Sequence, residues 1–543
     1  MGVAGLLVDF SGWTSAHGLP QIGASRNWTV RIIWSTIWLC SFAAFCYLAL
    51  YTLTISFFAY GISVSTSIES EERIFPAVTI CNANPYKYSQ AVADTQMQQM
   101  LLAFEEAATF KEVTSYTDVF QFNNQTDNLQ MVNHAFEIMT YLANAWTDAE
   151  VDDRGYNVED IILECTFGDV ECDLENDFKK KRDPLYGNCW QFNNEDETKY
   201  KIARPGEAFG LKLKMKNEQA EFLPLTEQAS FRIVLHEPGR EPFPDAFGYV
   251  SAAGFINSYA IRSTSNARLK VPFPSRCLET PDVAHFYYGD SKYSVEACYR
   301  SCIQNDIIET CGCADPRFGK PDDKNFCTMD DLTCIEERQE KIKEGADDAF
   351  DMANCDCPQL CAETSYSVVS SQAYWPSLVY KTDMCQNETM WMPYVNNTDS
   401  YLDHTDYKQV DNTLDCIAIF REETALVHIY YESMSYQKYS ENEQWPIAAV
   451  IYNLAGQIGL WLGFSVITIV EIFGLMMLIA MYCCAKSKLP SEITPEAKHE
   501  QDINEIDEII DEAGGSDDDS DSDVDDVNPY DVDSNAAPPP APM

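Results

Sequence analysis

The residues best suited to chemistry lie in an apolar stretch near the end of the chain, at 446–484. It contains Gly463-Phe464-Ser465 and a single charge, Glu471. Glycine weakens a helix, and irregular backbone at membrane depth is tolerated where it lines a cavity, in which exposed carbonyls replace part of an ion's hydration shell. A lipid-facing carboxylate is costly, so we expect Glu471 to face water or a partner. The predicted pore positions are Asn453, Gly459, Gly463, Phe464, Ser465 and Glu471.

Two apolar runs, at 30–60 and 446–484, must position these residues. Each exceeds the ~20 residues that cross ~30 Å of hydrocarbon, so each predicts a transmembrane helix. The first run is too long for a cleavable signal peptide and lacks a small-residue cleavage site. The alternative for the glycines of the second run is ordinary small-residue packing between helices, but its polar residues favour a pore.

Flanking charges predict the topology of the chain. Arg26 and Arg31 precede the first run, and Lys486 and Lys488 follow the second. Both ends are therefore expected in the cytoplasm of a two-span plasma-membrane protein. The expected parts are a cytoplasmic N-terminus (1–29), a first helix (30–60), an extracellular disulfide-rich domain (61–445), a second helix (446–484) and an acidic disordered tail (485–543).

The charge balance narrows the function classes. The net charge is −48, which excludes a nucleic-acid binder that uses its own basic surface. The segment 61–445 carries −33 of it, which attracts cations and disfavours an ATP-type agonist. The chain lacks the HExxH, GxSxG, Walker and Rossmann patterns, so we expect neither an enzyme nor a cofactor.

Cysteines dominate the extracellular segment, which holds 16 of the 20. Ten of them crowd between Cys277 and Cys361, and the Cys311-Gly-Cys313 spacing could suggest zinc. Extracellular thiols oxidise and histidine is scarce nearby, so a disulfide ladder is the better interpretation, and no metal site is predicted. Glycosylation is possible at the sequons of Asn124, Asn387 and Asn396.

The secondary structure of this segment is predicted to be mixed. Residues 90–110 and 295–308 have helical composition. The β-branched and aromatic runs at 230–235 and 425–431 are typical of strands.

Four motifs carry a resemblance to a known superfamily. They are His17-Gly18, FPAVTICN at 75–82, the ten-cysteine run, and GQIGLWLGFSVITIVE at 456–471. In these motifs the chain resembles the degenerin, epithelial sodium channel and acid-sensing ion channel superfamily.

The resemblance implies a trimeric sodium channel, here a homotrimer, that amiloride-type compounds block. It implies a membrane α and extracellular α+β fold with palm, knuckle, β-ball, finger and thumb regions. Gly463-Phe464-Ser465 matches the superfamily's Gly-x-Ser selectivity belt, and Glu471 matches the acidic position below it. His17-Gly18 matches a re-entrant motif that affects gating. Tyr60 and Phe273 fall near an aromatic contact between the first helix and the thumb, the wrist, although Phe273 replaces the usual Trp and sits one residue off.

The superfamily's cysteine order also implies a pairing. The implied bonds are Cys81–Cys189, Cys165–Cys172, Cys277–Cys361, Cys298–Cys357, Cys302–Cys355, Cys311–Cys334 and Cys313–Cys327, with Cys385–Cys416 left over as an eighth.

The stimulus is predicted from departures from the superfamily pattern. Acid-sensing members carry a His pair after the first span, whereas here no histidine lies between His17 and His134. The overall pattern is closest to invertebrate channels gated by FMRFamide, a cationic peptide that suits an acidic site with aromatic walls. The predicted peptide contacts are Phe120, Phe122, Phe136, Glu137, Tyr141, Trp146 and Asp148.

Three other readings stay open. The chain could be a proton-gated channel, or a constitutively active or protease-modulated one of the same superfamily. The run 179–182 (KKKR) resembles a processing site, but a solvated loop is the preferred interpretation. A two-span structural or adhesion receptor is the other class, and it leaves the polar, glycine-interrupted second span unexplained.

Overall fold

The computed structural model describes residues 3–486 apart from 111–116, 118, 123–126, 196–199, 282, 284, 345–354, 383–384, 386–389, 396–404 and 411–412. The chain divides into two compact units, which we treat separately. The membrane unit comprises Met1–Ala49 and Leu454–Met543, and the ectodomain unit comprises Leu50–Asn453.

Helices make up the described part of the membrane unit. They are α1 (Val3–Trp13), α2 (Leu19–Ala24), α3 (Trp28–Tyr51, continued by a π-helical turn at Thr52–Phe57), α12 (Ile447–Leu462) and α13 (Val466–Lys486). Two of them, α3 and α12, include residues of the other unit at one end.

Two helical segments are long and apolar enough to cross a bilayer, Trp28–Phe57 and Val466–Cys484. Their mean hydropathies are 1.8 and 2.3, and the buried fractions of their apolar windows are only 0% and 11%. A core helix of a soluble protein would hide such side chains, so these two helices agree with the expected two-span architecture.

The ectodomain unit contains short and medium-length helices among its described residues. They are α4 (Tyr88–Ala91), α5 (Thr95–Glu105), α6 (Asn128–Asn144), α7 (Asp148–Arg154), α8 (Val158–Ile161), α9 (Val295–Cys311), α10 (Leu332–Glu344) and α11 (Thr413–Glu423). Short π and 3-10 turns occupy Glu106–Phe110, Glu207–Phe209, Gln219–Glu221 and Met329–Asp331.

The described strands form two larger sheets and two small ones. They are β1 (Ile62–Ser70), β2 (Arg73–Ile74), β3 (Ala77–Asn82), β4 (Ile162–Phe167), β5 (Val170–Glu171), β6 (Phe178–Asp183), β7 (Gly187–Phe192), β8 (Lys201–Ile202), β9 (Leu211–Lys216), β10 (Ser230–His236), β11 (Tyr249–Ala252), β12 (Phe255–Ala267), β13 (Ala362–Tyr374), β14 (Met390–Val395), β15 (Thr405–Val410), β16 (Thr424–Tyr431) and β17 (Ser435–Glu443).

The larger sheet has the order β1-β17-β12-β16-β9-β4-β5, with β13 also paired to β12. The second has the order β11-β10-β3-β7-β6, and the pairs β2-β8 and β14-β15 complete the set. The burial pattern of a strand explains which residue types it contains. β9 reads LKLKMK, and its alternate residues are buried, as a half-covered strand requires. β3 is buried along its whole length, which suits its β-branched composition in the middle of a sheet.

Two apolar cores hold the ectodomain unit together. One lies among the sheets and includes Phe75, Phe192 and Tyr259. The other lies among α5, α6 and α10 and includes Met100, Ile138 and Ile335. The N-terminus of α6 is capped by Asp127, whose carboxylate accepts a hydrogen bond from the Leu129 N–H.

Eight disulfides cross-link the ectodomain unit. They join Cys81–Cys189, Cys165–Cys172, Cys277–Cys361, Cys298–Cys357, Cys302–Cys355, Cys311–Cys334, Cys313–Cys327 and Cys385–Cys416. The remaining cysteines, Cys40, Cys46, Cys483 and Cys484, form no disulfide and belong to the two apolar spans. The Cys311–Cys334 bond ties the end of α9 to the start of α10, so these two helices are held together covalently.

The basic run 179–182 is not a loop, and that interpretation is wrong. It lies in β6, which pairs with β7 along its whole length. The four cations form ion pairs, namely Lys179–Glu195, Lys180–Asp152, Lys181–Glu241 and Arg182–Asp148. The carboxylates that stabilise β6 come from other parts of the chain. They offset the low strand propensity of a run of lysines.

Candidate ion pathway

The second apolar run is broken between α12 and α13. Leu462 is the last residue of α12, and Val466 is the first of α13. Gly463 has φ +66°, in the left-handed region where only glycine is comfortable. Its N–H still donates to the Gly459 carbonyl at 3.0 Å, so Gly463 ends the first helix in the manner of a glycine C-cap.

Ser465 starts the second helical segment. The Ser465 side-chain oxygen accepts from the Thr468 N–H at 3.3 Å, and the Thr468 hydroxyl oxygen accepts from the Ser465 N–H at 3.1 Å. This reciprocal arrangement satisfies donors that a helix start leaves unpaired. Phe464 lies between the two helices, so the three residues of the belt form a non-helical break.

The N-terminal segment that contains His17-Gly18 lies against this break. The His17 N–H donates to the Leu462 carbonyl at 3.1 Å, which is a carbonyl that α12 leaves free at its end. The His17 ring fills the space beside Gly463. Gly18 has φ +84° and turns the chain into α2. The two predicted motifs thus form one local structure in the membrane unit.

Glu471 is held by the same N-terminal segment. Its Oε2 accepts hydrogen bonds from the Ser15 N–H at 2.8 Å, the Thr14 hydroxyl at 3.0 Å and the Ser15 hydroxyl at 3.2 Å. Ser15 Oγ also lies 2.5 Å from the fully buried Thr468 Oγ1. Hydrogen bonds to an ionised acceptor are roughly twice as strong as neutral ones, so this cradle stabilises the carboxylate in its charged form.

Sequence reasoning did not identify Thr14 and Ser15. The signal was available in part, because a polar pair separated from His17 only by Ala16 follows the largely apolar stretch that contains α1. Nothing in the sequence connected that pair with a carboxylate more than 450 positions away.

The two remaining pore positions lie on α12. Asn453 is half-buried and is assigned to the ectodomain unit, whereas Gly459 is assigned to the membrane unit. A β-carbon at Gly459 would lie 3.5 Å from the Phe464 carbonyl oxygen, which is an ordinary contact.

Tyr60 and Phe273 meet in the ectodomain unit. Their ring centroids are 5.7 Å apart, and the planes are inclined at 80°, the edge-to-face geometry that aromatic pairs prefer. Tyr60 has φ +51°, which a bulky residue adopts only when its surroundings hold it there.

Four of the predicted peptide contacts are in the interior of the ectodomain unit. Phe120, Phe122, Tyr141 and Trp146 are each at least nine-tenths buried in the core around α5 and α6. Phe122 packs edge-to-face on Phe104 and Trp146 on Tyr86. Burial of large aromatic rings outweighs any advantage of presenting them to a ligand in this state.

Of the other three predicted contacts, two line one cavity and the third lies elsewhere. Phe136 and Glu137 line a cavity of about 1060 Å³ beside α6 and α10, where Glu137 pairs with Arg317 at 2.9 Å. Asp148 has a side-chain exposure of 96% and pairs with Arg182 instead. The cavity therefore contains only part of the predicted peptide site.

A second cavity, of about 380 Å³, is lined by several carboxylates. Asp183, Glu241 and Asp245 line it, and Arg300 ion-pairs with Asp245 at 2.8 Å. Burial raises the pKa of Asp183 to about 6, against the opposing effect of hydrogen bonds from the Tyr186 and Leu185 N–H groups. This cavity is a place where protons could bind near neutral pH.

The three sequons at Asn124, Asn387 and Asn396 lie outside the described residues, so glycosylation stays a prediction.

Comparison with known proteins agrees with the resemblance. A family model described as "Amiloride-sensitive sodium channel" matches residues 10–475. Degenerin-like protein asic-2 of Caenorhabditis elegans is 29% identical over 97% of this chain and 97% of its own length. Degenerin unc-8 and degenerin del-1 of the same organism are 31% and 32% identical over 66% of this chain. The chain spans 44% and 51% of those two relatives, about half of their length.

Proposed function

This chain belongs to the amiloride-sensitive sodium channel family, within the degenerin, epithelial sodium channel and acid-sensing channel superfamily, and we propose that it forms a homotrimeric sodium channel opened by an extracellular FMRFamide-like peptide. It is a two-span membrane protein with a disulfide-rich ectodomain, and Na⁺ is the ion that its family conducts. The trimeric state, the peptide agonist and the cytoplasmic placement of both termini belong to the proposal.

The observation that carries the proposal is the break in the second span. Gly463 and Ser465 end one helix and start the next, and the intervening backbone is free of helical constraint. Such a break is tolerated at membrane depth where it lines a water-filled path. Glu471, six residues further along the chain than Ser465, accepts hydrogen bonds from Thr14 and Ser15. This arrangement supports a cation pathway.

Assembly follows from the number of spans. Two membrane-crossing segments cannot enclose a pore, so several copies must contribute their broken spans around an axis. Arg26 and Arg31 before the first span and Lys486 and Lys488 after the second support a cytoplasmic location for both ends.

The peptide agonist is supported by charge and by the cavity beside α6. The segment 61–445 carries −33 and would concentrate a cationic peptide. Phe136 and Glu137 offer an aromatic face and a carboxylate to that cavity. In this mechanism, peptide binding biases the ectodomain towards a conformation that the Tyr60–Phe273 contact transmits to the first span. The bias cannot exceed the difference in peptide affinity between the open and closed states.

Acid gating is the second candidate, and one observation favours it. The carboxylates of the smaller cavity include Asp183, whose pKa is raised by burial to about 6. Acidification would neutralise it and change the repulsion with Glu241 and Asp245.

The test is electrical. The full chain is expressed in oocytes, and FMRFamide, a step to pH 5 and ATP are applied separately, with amiloride added at the plateau. We expect an amiloride-sensitive inward current with FMRFamide whose reversal potential follows the Na⁺ gradient. Ser465→Val, which removes the capping hydroxyl, should shift that reversal potential, while Thr36→Val on α3 serves as the matched control.

The outcomes separate the parts of the proposal. A Na⁺ current with acid or ATP but not with peptide would overturn the agonist and keep the channel. Surface protein that gives no current under any condition would favour a structural receptor or an obligate partner subunit. Counting subunits on single purified particles tests the homotrimer independently of the agonist.

A further inference from the structure

A histidine and two carboxylates converge where α6 and α10 face each other in the ectodomain unit. The ligand atoms that His134, Glu137 and Glu336 offer all lie within 4.8 Å of one another. His134 and Glu137 are one turn apart on α6, and Glu336 comes from α10. The three residues line the cavity of about 1060 Å³ described above.

The orientation of the His134 ring is set by a backbone carbonyl. His134 Nε2 lies 3.0 Å from the Phe120 carbonyl oxygen. A carbonyl can only accept, so Nε2 carries the proton and donates it. The other ring nitrogen, Nδ1, lies 3.8 Å from Glu336 Oε1, beyond hydrogen-bonding distance. A carbonyl that fixes the second ring nitrogen is the usual support of a metal-binding histidine.

The carboxylates also keep acceptor capacity for a cation. Arg317 Nη1 approaches Glu137 Oε1 at 2.9 Å, but that oxygen accepts no well-aligned hydrogen bond from the described residues. The Arg317 guanidinium is already bound in two-point fashion by the fully buried Asp315 carboxylate. The cluster thus sets three carboxylates, those of Glu137, Glu336 and Asp315, against the single guanidinium of Arg317.

An unpaired hydroxyl supports the same reading. Tyr141 follows Glu137 by one turn of α6, is 3% exposed, and its hydroxyl has no hydrogen-bond partner among the described residues. It lies within electrostatic range of both Glu137 and Glu336. A buried hydroxyl without a partner is unusual, and a water on a bound ion would satisfy it.

The backbone around the cluster is held firmly in place. Arg338 on α10 forms a two-point ion pair with Asp306 on α9, at 2.7 and 2.8 Å. The Cys311–Cys334 disulfide joins the same two helices. Glu336 is therefore presented from a fixed helix, so a metal ion would require movement of side chains only.

We propose that His134, Glu137 and Glu336 form a binding site for a divalent transition-metal ion, with Zn²⁺ as the preferred ion. One imidazole with two carboxylates suits zinc, whereas calcium and magnesium prefer oxygen ligands alone. Zinc bonds of about 2.0–2.2 Å require the three ligand atoms to draw together by roughly an ångström. The fourth position faces the cavity and takes a water. A bound ion would link α6 to α10.

Zinc binding is measured on the purified full-length channel in detergent, by equilibrium dialysis against buffered Zn²⁺ with metal analysis. We expect one high-affinity Zn²⁺ per chain. His134→Gln and Glu336→Gln should each weaken it at least tenfold. Glu340→Gln is the matched control, because Glu340 lies one turn further along α10 on the same cavity. Glu336 is only half-buried, so Glu336→Gln tests the site even where His134→Gln impairs folding.

The competing outcomes are distinct. Equal zinc affinity in wild type and Glu336→Gln would overturn the proposal, and so would the absence of binding at micromolar Zn²⁺. A pH-dependent melting temperature that both variants abolish, without zinc binding, would identify a proton-linked His134–Glu336 pair instead of a metal site. None of these measurements needs a current, so they fail or succeed independently of the proposed channel function.

Discussion

The imidazole of His17 occupies the space that a side chain at Gly463 would need. A β-carbon built on Gly463 would lie 2.1 Å from Cγ of the ring, well inside any allowed contact. The N-terminal motif and the belt of the second span thus fit each other only because residue 463 is glycine.

Gly463→Ala should therefore disturb the break more than any other alanine substitution in α12 or α13. The left-handed φ of residue 463 adds about 1–3 kcal/mol of strain to the clash. We expect loss of most of the current and a changed Na⁺/K⁺ preference, measured from reversal potentials. Gly456→Ala is the control, because nothing lies within 4 Å of its added β-carbon. If Gly463→Ala behaves like the control, His17 does not pack against the belt.

A second prediction concerns the Glu471 cradle. Ser15→Ala removes the hydrogen bond that the Ser15 hydroxyl donates to Glu471, and Glu471→Gln weakens the same bond by removing the charge of its acceptor, so their effects should not add. Coupling between contacting residues is typically about 0.5–3 kcal/mol. A double-mutant cycle on the open probability or agonist EC50 measures it. Additive effects of the two substitutions would show that the Ser15–Glu471 contact does not influence gating.

The aromatic contact between Tyr60 and Phe273 gives a third prediction. Phe273→Ala removes an edge-to-face pair worth about 0.5–1.5 kcal/mol beyond burial. We expect a right-shifted agonist curve with unchanged reversal potential, because the contact lies outside the membrane unit. Phe273→Tyr should keep the response. A change of ion preference in Phe273→Ala would argue against a purely coupling role.

Proteolysis provides a fourth prediction. Residues 179–182 are paired in β6, and proteases cut extended segments that leave the sheet. Channel on intact cells should therefore resist trypsin or a furin-type protease at this run. The same chain after reduction and denaturation should be cut there, which controls for the recognition sequence. A fragment that ends at Arg182, recovered from native surface protein, would contradict this prediction and favour a protease-modulated channel.

Acid should destabilise the ectodomain unit through His236. Burial lowers the pKa of His236 from its ordinary value of 6.5 to about 4, and the ring accepts a hydrogen bond at 2.8 Å from Thr79 in its neutral form. The unfolded chain binds the proton more tightly, so the stabilisation is present above pH 6.5 and is lost as the pH falls towards 4. The loss in the free energy of unfolding over this pH range is on the order of 3 kcal/mol.

The melting temperature of the purified channel at pH 7 and pH 5 measures this effect. His236→Gln should melt at more similar temperatures at the two pH values, because its amide has no proton to gain. An unchanged pH dependence in that variant would show that other groups dominate acid unfolding.

The residue types of the second span predicted its helix break, but they did not predict that Thr14 and Ser15 contact Glu471. The glycines and Ser465 predicted a helix break, and the cost of a charge in lipid predicted that Glu471 needs a partner. The identity of that partner depends on a contact between the two ends of the chain, which no local pattern encodes. The family match confirms the superfamily resemblance. The disulfides coincide with the superfamily's cysteine order, although spacing alone left many pairings open.

Two features that the local composition did not indicate have a common physical cause. The predicted peptide contacts Trp146 and Tyr141 are buried, because aromatic side chains are driven into the nearest available core. The basic run was expected in a loop, but carboxylates from distant elements neutralise it in a strand. In both cases tertiary contacts outweighed what the local composition favours.

The π-helical turn at Thr52–Phe57 has a consequence for insertions and deletions in the first span. Such a turn holds one residue more than an α-helical turn. Removing a single residue from it would restore an ordinary α-helical turn with little change in the direction of the side chains on either side, because the turn still completes about one full rotation. The same deletion within the α-helical part of α3 would turn the side chains before it by roughly 100° relative to those after it. A single-residue deletion is thus expected to keep the outward face of the first span at Thr52–Phe57 and to misalign that face at positions 28–51.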